Sequence, residues 1–306
     1  MKCSEVIKTA WRMTNDERGL VWYGVVPAFF VVLVGMGYLI YQFLAFRVSP
    51  FFGAQDLNIE KIKSLVVDFA SAHPELSIIF IAFAVIIVIL YFILPPLCEG
   101  GIIGLSSAIH KKKEDVKPGD GIVIGAHHYL RMFEYRMVVG TFSFVYFLTV
   151  ASLIVRKLGV SGWLIGLMVF IFVASLILGF LFVYTQNFIV LEGHRIIPAF
   201  MGSAKLVVGN FGKTLLMWML MLLISLRVVI NIFLVFLIPV LVAAVANFLV
   251  TAVALKLGIV LASIAGVIVL MIAAYLAGVL HVFTTAAWTL TFLDLDHRRA
   301  EKLLEK

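Results

Sequence analysis

The sequence predicts an all-α membrane protein with six transmembrane helices, and three observations predict it. Of 306 residues, 63% are hydrophobic and 13% charged, where a soluble chain carries about 25% charged residues. The apolar residues gather into runs of about 20 residues or more, long enough to cross the hydrocarbon of a bilayer as helices. Alternating ten-residue segments, the mark of an outer-membrane barrel, are absent.

Residues 1–19 place Val6, Ile7, Ala10, Trp11 and Met13 near one face with Lys8, Arg12 and Arg18 around them, a pattern that suits a helix lying among lipid headgroups. The first span follows at 20–46; without a small-residue cleavage site it is expected to stay in the protein. A polar loop, 47–75, holds a short helical candidate, Leu57–Ala72, closed by His73-Pro74. The second span, 76–97, is expected to end or kink at Pro95-Pro96. Two short surface helices, Ile102–Lys112 and Ile122–Arg136, then flank the turn Lys117-Pro118-Gly119-Asp120-Gly121. The third span is 137–155. A tight turn leads to the fourth, Trp163–Leu191, and a second surface segment occupies Arg195–Gly212.

The apolar stretch from Thr214 to Leu255 is too long for one crossing. Pro239 marks the expected break, with a fifth span at Lys213–Ile238 and an interfacial or re-entrant segment at Pro239–Leu255. The rival division into two full spans would put Arg298, Arg299, Lys302 and Lys306 on the far side. A sixth, over-long span at Gly258–Phe292 is expected to tilt or protrude.

Charge placement orients the chain. Seventeen of the 24 Lys and Arg residues fall in the N-terminal segment, the 98–137 loop, the 195–213 loop and the C-terminal tail; six fall in the opposite loops and Arg227 lies within the fifth span. Both termini are therefore expected in the cytoplasm, in a multi-pass protein of the cytoplasmic (inner) membrane. The net charge of +7 sits beside the spans, where it reads as topology signal and contact with anionic headgroups, not as a nucleic-acid surface. Cys3 and Cys98 fall on the reducing side, so no disulfide is expected.

A repeat is legible within the single polytopic domain, 1–306. The segments AWRMTNDERGLVWYG, YLRMFEYRMVVGT and AKLVVGNFGKTLLMW precede spans one, three and five, each with a base at the membrane entry (Arg18, Arg136, Lys213). Spans two, four and six exit at acids: Glu99, Glu192, and Asp294 with Asp296. The units, 1–99, 119–193 and 194–297, are three hairpins, each preceded by a cytoplasmic amphipathic segment, expected to pack about a pseudo-three-fold axis. Basic entries and interfacial aromatics also arise in any helical hairpin protein, because lipid demands them.

The stretch LEGHRIIPAFMGSAKLVVGNFGKTLL, the entry WRMTNDERGLVWYGVVP and the tail FLDLDHRRAEKLLEK resemble a broad group of six-span prokaryotic integral membrane proteins. That group includes the membrane domain found beside some glycerophosphoryl diester phosphodiesterase domains. The resemblance implies fold and membrane residence only. No soluble stretch is long enough for the catalytic domain, and no catalytic residue carries over.

Arg227 is the sharpest candidate site residue, about 14 positions into the fifth span, with Asn231 one turn further on the same face. Two fates are open to it: snorkelling to the outer interface, or meeting an anionic lipid or solute in a wet cavity with Asn231 as a second hydrogen-bonding group. Lys111, Lys112 and Lys113 are expected to contact anionic headgroups. Glu99, Glu192 and Asp294 form the structural rim, with bases beside them as salt-bridge partners between repeats. Gln186, Asn187, His281, Thr284 and Thr285 either line a polar cavity or join helices by hydrogen bonds. His110, His127, His128, Glu134, His194, Asp296 and His297 complete the rim without a metal-ligand spacing, and Gly119-x-Gly121 lacks the order of a phosphate loop. No nucleophile–base pair, metal or cofactor motif is found, so the expectation is a non-enzymatic membrane module acting through lipids, a second copy or a membrane-protein partner. The alternative is a transporter or channel for a small anionic or amphiphilic solute, with Arg227 and Asn231 in the pathway.

Overall fold

The computed structural model describes residues 2–47, 64, 67–68, 70–111, 117–141, 144–158, 161–248 and 252–304, with the backbone alone described at 40, 43–47, 144–145, 148, 155–158, 232–248, 252–263 and 299–304. The described residues are mostly helical and contain no strand. In chain order the helices are α1 (Cys3–Asp16), α2 (Arg18–Arg47), α3 (Pro74–His110), α4 (Asp120–Gly140), α5 (Phe144–Leu158), α6 (Gly162–Leu181), α7 (Thr185–Leu191), α8 (Ile196–Gly209), α9 (Phe211–Phe248) and α10 (Ala252–Leu304).

Among the described residues, five stretches are long and apolar enough to cross a membrane: Arg18–Leu39, Pro74–His110, Gly162–Leu191, Phe211–Asn231 and Ile264–Arg298. The expected third span, 137–155, falls on the end of α4 and on α5, and its residues 142–143 lie outside the described residues.

Among the described residues burial is concentrated in a few segments. Cys98–Ser107 of α3, Thr185–Val190 of α7 except Gln186, and most of Val282–Leu295 of α10 are buried. The opposite half of α3 exposes Ile78, Phe80, Ile81, Phe83 and Ile86, on every face of the helix, and α6 does the same through Trp163, Val169 and Phe170. Helices apolar all round have no hydrophobic reason to associate in lipid, so contact needs small residues or polar groups. Both devices are present. Gly24 of α2 meets Gly278 of α10 at a crossing so close that a Cβ on Gly24 would lie 2.3 Å from the Gly278 carbonyl oxygen. Gly121 and Gly125 of α4 lie against α3 near Gly100, Gly101 and Leu97. Further along, α2 and α5 are tied by polar side chains. Tyr38 and Thr149 share a hydrogen bond, Gln42 Nε2 donates to Tyr38 at 2.5 Å, and Ser152 Oγ donates to Gln42 Oε1 at 3.1 Å.

Several expectations are corrected. Pro95 and Pro96 do not end the second span: α3 continues to His110 and absorbs the expected surface helix Ile102–Lys112. Each proline removes one donor, freeing the carbonyls of Tyr91 and Phe92 only, a loss that a long apolar helix tolerates. Pro239 likewise lies within α9, which runs on to Phe248, so the chain does not break at that proline. At about 1.5 Å per residue the 38 residues of α9 and the 53 of α10 exceed the thickness of a bilayer with its headgroups, so both tilt or project. The fourth span is interrupted at Phe182–Tyr184, between α6 and α7. Most of the Leu57–Ala72 candidate lies outside the described residues. Finally, part of the apolar face of α1 is covered by protein: Val6, Ala10 and Met13 pack with Met217 and Met221 of α9 and Phe283, Ala286 and Leu290 of α10, while Trp11 of the same face stays exposed.

Candidate functional site

The interruption between α6 and α7 organises the interior. Ser203 of α8 closes it: its Oγ accepts the Tyr184 N–H at 3.1 Å and donates to the Leu181 carbonyl at 2.7 Å, replacing bonds that a continuous helix would have made itself. The Tyr184 hydroxyl lies 3.3 Å from Thr214 Oγ1. The short helix α7 that follows is enclosed by α3, α4 and α8, and Thr185, Asn187, Phe188, Ile189 and Val190 are all buried.

Its first turn, Thr185-Gln186-Asn187, brings polar chemistry into this core. Gln186 Nε2 donates to Glu99 Oε1 at 2.7 Å, joining α7 to the buried end of α3. Thr185 Oγ1 and Asn187 Oδ1 are buried without a partner. Tyr135 of α4 and His281 of α10 lie within electrostatic reach of Glu99, and both also feel Arg136. Burial foremost, then the Glu99 carboxylate, push the Tyr135 hydroxyl above its ordinary value, against the pull of Arg136. Glu99 is thus no exposed rim residue: it is 7% exposed and meets an amide instead of a base.

The other two acidic exits behave differently. Asp294 pairs with Lys213 at the foot of α9 and lies 3.4 Å from Arg298 Nε on its own helix, a tie within the third unit. Glu192 faces His194 at 3.5 Å, in the turn between α7 and α8. Gly193 holds a positive φ of 68° there, and its carbonyl accepts Arg131 Nη1 at 2.6 Å, which pins α4 to the turn. Beside it the rings of His127 and His128 stand edge to face at 4.8 Å. Burial, then His127 and Arg131, hold His128 below the usual imidazole value.

Arg227 and Asn231 are exposed on the outer face of α9, and neither has a polar partner among the described residues. The last buried residue before them on α9 is Met221. They are not brought together with Glu99. Lys111 is exposed at the end of α3; Lys112 and Lys113 lie outside the described residues. Among the described residues no group of three His, Cys, Asp or Glu side chains is placed to hold a metal ion.

The surface helices have two apolar faces. α4 buries Gly121, Gly125, Met132 and Tyr135 and exposes Ile122, Val123 and Leu130; α8 buries Ala199, Leu206 and Val207 and exposes Ile197, Met201 and Val208. Exposed Lys117, Arg195 and Lys205 stand on or beside these helices.

Two features escaped the sequence reading. The glycine crossings were written in the spacings Gly100-x-x-x-Gly104 and Gly121-x-x-x-Gly125, the small-residue pattern of close helix pairs. The helix break at Phe182–Tyr184 carries no glycine or proline and left no local signal. Comparison of the chain with known protein families, with curated proteins and with solved structures finds no match.

Proposed function

We propose that the chain is a non-enzymatic integral membrane protein of the inner membrane, with six spans and both termini cytoplasmic, whose working surface is the lipid of the cytoplasmic leaflet. The observation that carries this reading is the second apolar face of α4 and α8. One face of each helix is spent on the protein core, and the other presents Ile122, Val123, Leu130, Ile197, Met201 and Val208 outward with lysines and arginines alongside. An apolar stripe flanked by bases suits the boundary between headgroups and acyl chains, where anionic lipid supplies the counter-charge. The hairpin plan and its pseudo-three-fold arrangement belong to the same proposal. They are supported by the packing of α2 on α3 and α9 on α10, and agree with the resemblance to the phosphodiesterase-associated membrane domain. A second copy or a membrane-protein partner would add to this surface along the splayed apolar arms.

Spin labels at Leu130 and Met201, with the protein in nanodiscs, test the reading. Collision with oxygen should exceed collision with a water-soluble nickel reagent at both sites, more so with anionic than with neutral lipid. Water-like accessibility at both labels would refute it.

The transporter reading is favoured by a separate observation, the buried helix break with its polar turn, since interrupted helices lining a site are a carrier device. For a pathway through Arg227 and Asn231, Arg227→Leu should abolish anionic solute uptake while folding is retained. An unchanged solute profile would remove that pathway.

A further inference from the structure

The junction of α3, α4, α7 and α10 holds a buried carboxyl group with no cationic side chain paired to it among the described residues. The Glu99 carboxylate is 93% withdrawn from solvent (7% exposed), receives the single hydrogen bond from Gln186, and makes no ion pair with any described residue. An ionised carboxylate offers about four acceptor sites, and burying it without a cation is strongly unfavourable. The nearby bases are committed elsewhere or stand off: Lys213 and Arg298 serve Asp294, Arg131 serves the Gly193 carbonyl, and Arg136 acts on Tyr135 and His281 without pairing with Glu99. On the same turn as Gln186, two more oxygens, Thr185 Oγ1 and Asn187 Oδ1, are buried and unpartnered. Polar side chains are therefore under-satisfied in a core where unmatched polar atoms are costly.

We propose that this junction binds a small monovalent cation, with Glu99 as its anionic ligand and side-chain oxygens of the Thr185–Asn187 turn as neutral donors. One carboxylate with neutral oxygens balances a single positive charge. Calcium sites usually recruit several carboxylates, and zinc sites need a cluster of histidines or cysteines that the described residues do not contain. The inference rests on the interior and is independent of the lipid-facing helices.

The test is thermal unfolding of the full chain in nanodiscs, with sodium or potassium chloride replacing N-methylglucamine chloride at constant ionic strength. Wild type should show a saturable rise in Tm with one of the two ions, because a ligand that binds only the folded state stabilises it. The rise should vanish in Glu99→Gln, which keeps the shape and removes the charge, and its midpoint should move to higher ion concentration in Asn187→Ala. Absence of a saturable rise in wild type overturns the proposal whether or not the variants fold. So does an equal rise in Glu99→Gln. A stability that follows pH and not the metal ion, and loses that dependence in Glu99→Gln, assigns the site to a proton and overturns it too.

Discussion

Replacing Gly125 by alanine tests the close crossing of α3 and α4. A Cβ at this position would lie 2.0 Å from the Leu97 carbonyl oxygen, 3.0 Å from its carbon and 3.3 Å from the Gly101 nitrogen. All three atoms are backbone, so no side chain can swing aside. Reaching ordinary contact at 3.4 Å requires α3 and α4 to part by about 1.4 Å. A gap of about 1 Å already forfeits up to half of a dispersion well, and the loss is repeated wherever these two helices touch. Overpacking of this kind costs about 1–3 kcal/mol, and immovable backbone places it at the upper end. Alanine returns up to about 1 kcal/mol of helix propensity, leaving a net destabilisation of about 1–2 kcal/mol. At roughly 2–4 °C per kcal/mol, Tm in nanodiscs should fall by roughly 2–8 °C. Gly166→Ala is the control, because nothing lies within 4 Å of a Cβ there. Equal stability of the two variants would refute the close crossing.

Ser203→Ala strands the Leu181 carbonyl and the Tyr184 amide in a buried break, at a cost of about 1–3 kcal/mol; hydrogen exchange should accelerate at Phe182–Tyr184 ahead of the flanking helices, and uniform exchange would contradict the clasp. Lys213→Met removes the lysine paired with Asp294 and leaves Arg298 in place beside it. At 18% and 13% side-chain exposure the Lys213–Asp294 pair sits between a surface bridge, worth about 0–1 kcal/mol, and a buried one, whose breaking costs about 3–5 kcal/mol. The expected loss is about 2–3 kcal/mol, and a double-mutant cycle with Asp294→Asn showing no coupling would dismiss the pair. For His128 the folded value lies below the unfolded one, so the unfolded chain binds the proton first as pH falls. Its contribution to stability is complete above the unfolded value of about 6.5 and is lost as pH descends from there toward the folded value. Tm between neutral and mildly acid pH should therefore drop less in His128→Gln than in wild type, and parallel curves would exclude His128.

Membrane residence was legible because it is written in composition and run length, which no tertiary contact can override. The helical ends were not. Pro95-Pro96 and Pro239 carry strong local signals for a break, yet α3 and α9 run through them, since a proline costs a helix one donor and that cost is small beside an apolar run with nowhere else to go. The real break, at Phe182–Tyr184, is a tertiary event. It is held by a serine 19 residues away from the tyrosine whose amide it receives, and no window of the sequence contains both halves of that clasp. The apolar stripe of α1 was legible as a stripe, but periodicity does not say whether lipid or protein covers it, and here Met217, Met221 and Phe283 cover part of it.

The same limit governs the polar residues. A membrane prior gives most weight to a charge deep in a span, and so it selects Arg227, which lies about 21 Å along the helix from Lys213 at 1.5 Å per residue. That depth leaves about 10 Å to the far edge of a 30 Å hydrocarbon layer, a gap that an arginine stem and headgroup can close. The exposed position of Arg227 fits that escape: such a residue needs nothing from the protein interior. Glu99 and Asn187 have no such exit. They lie near the ends of their apolar runs, where sequence alone reads Glu99 as a rim residue and Asn187 as a cavity or helix-joining residue, and the packing of α3, α4, α7 and α10 buries both. The polar chemistry that the fold must satisfy is therefore concentrated where hydropathy predicted least of it, around the buried Glu99 and the Thr185–Asn187 turn and not at the arginine in the span.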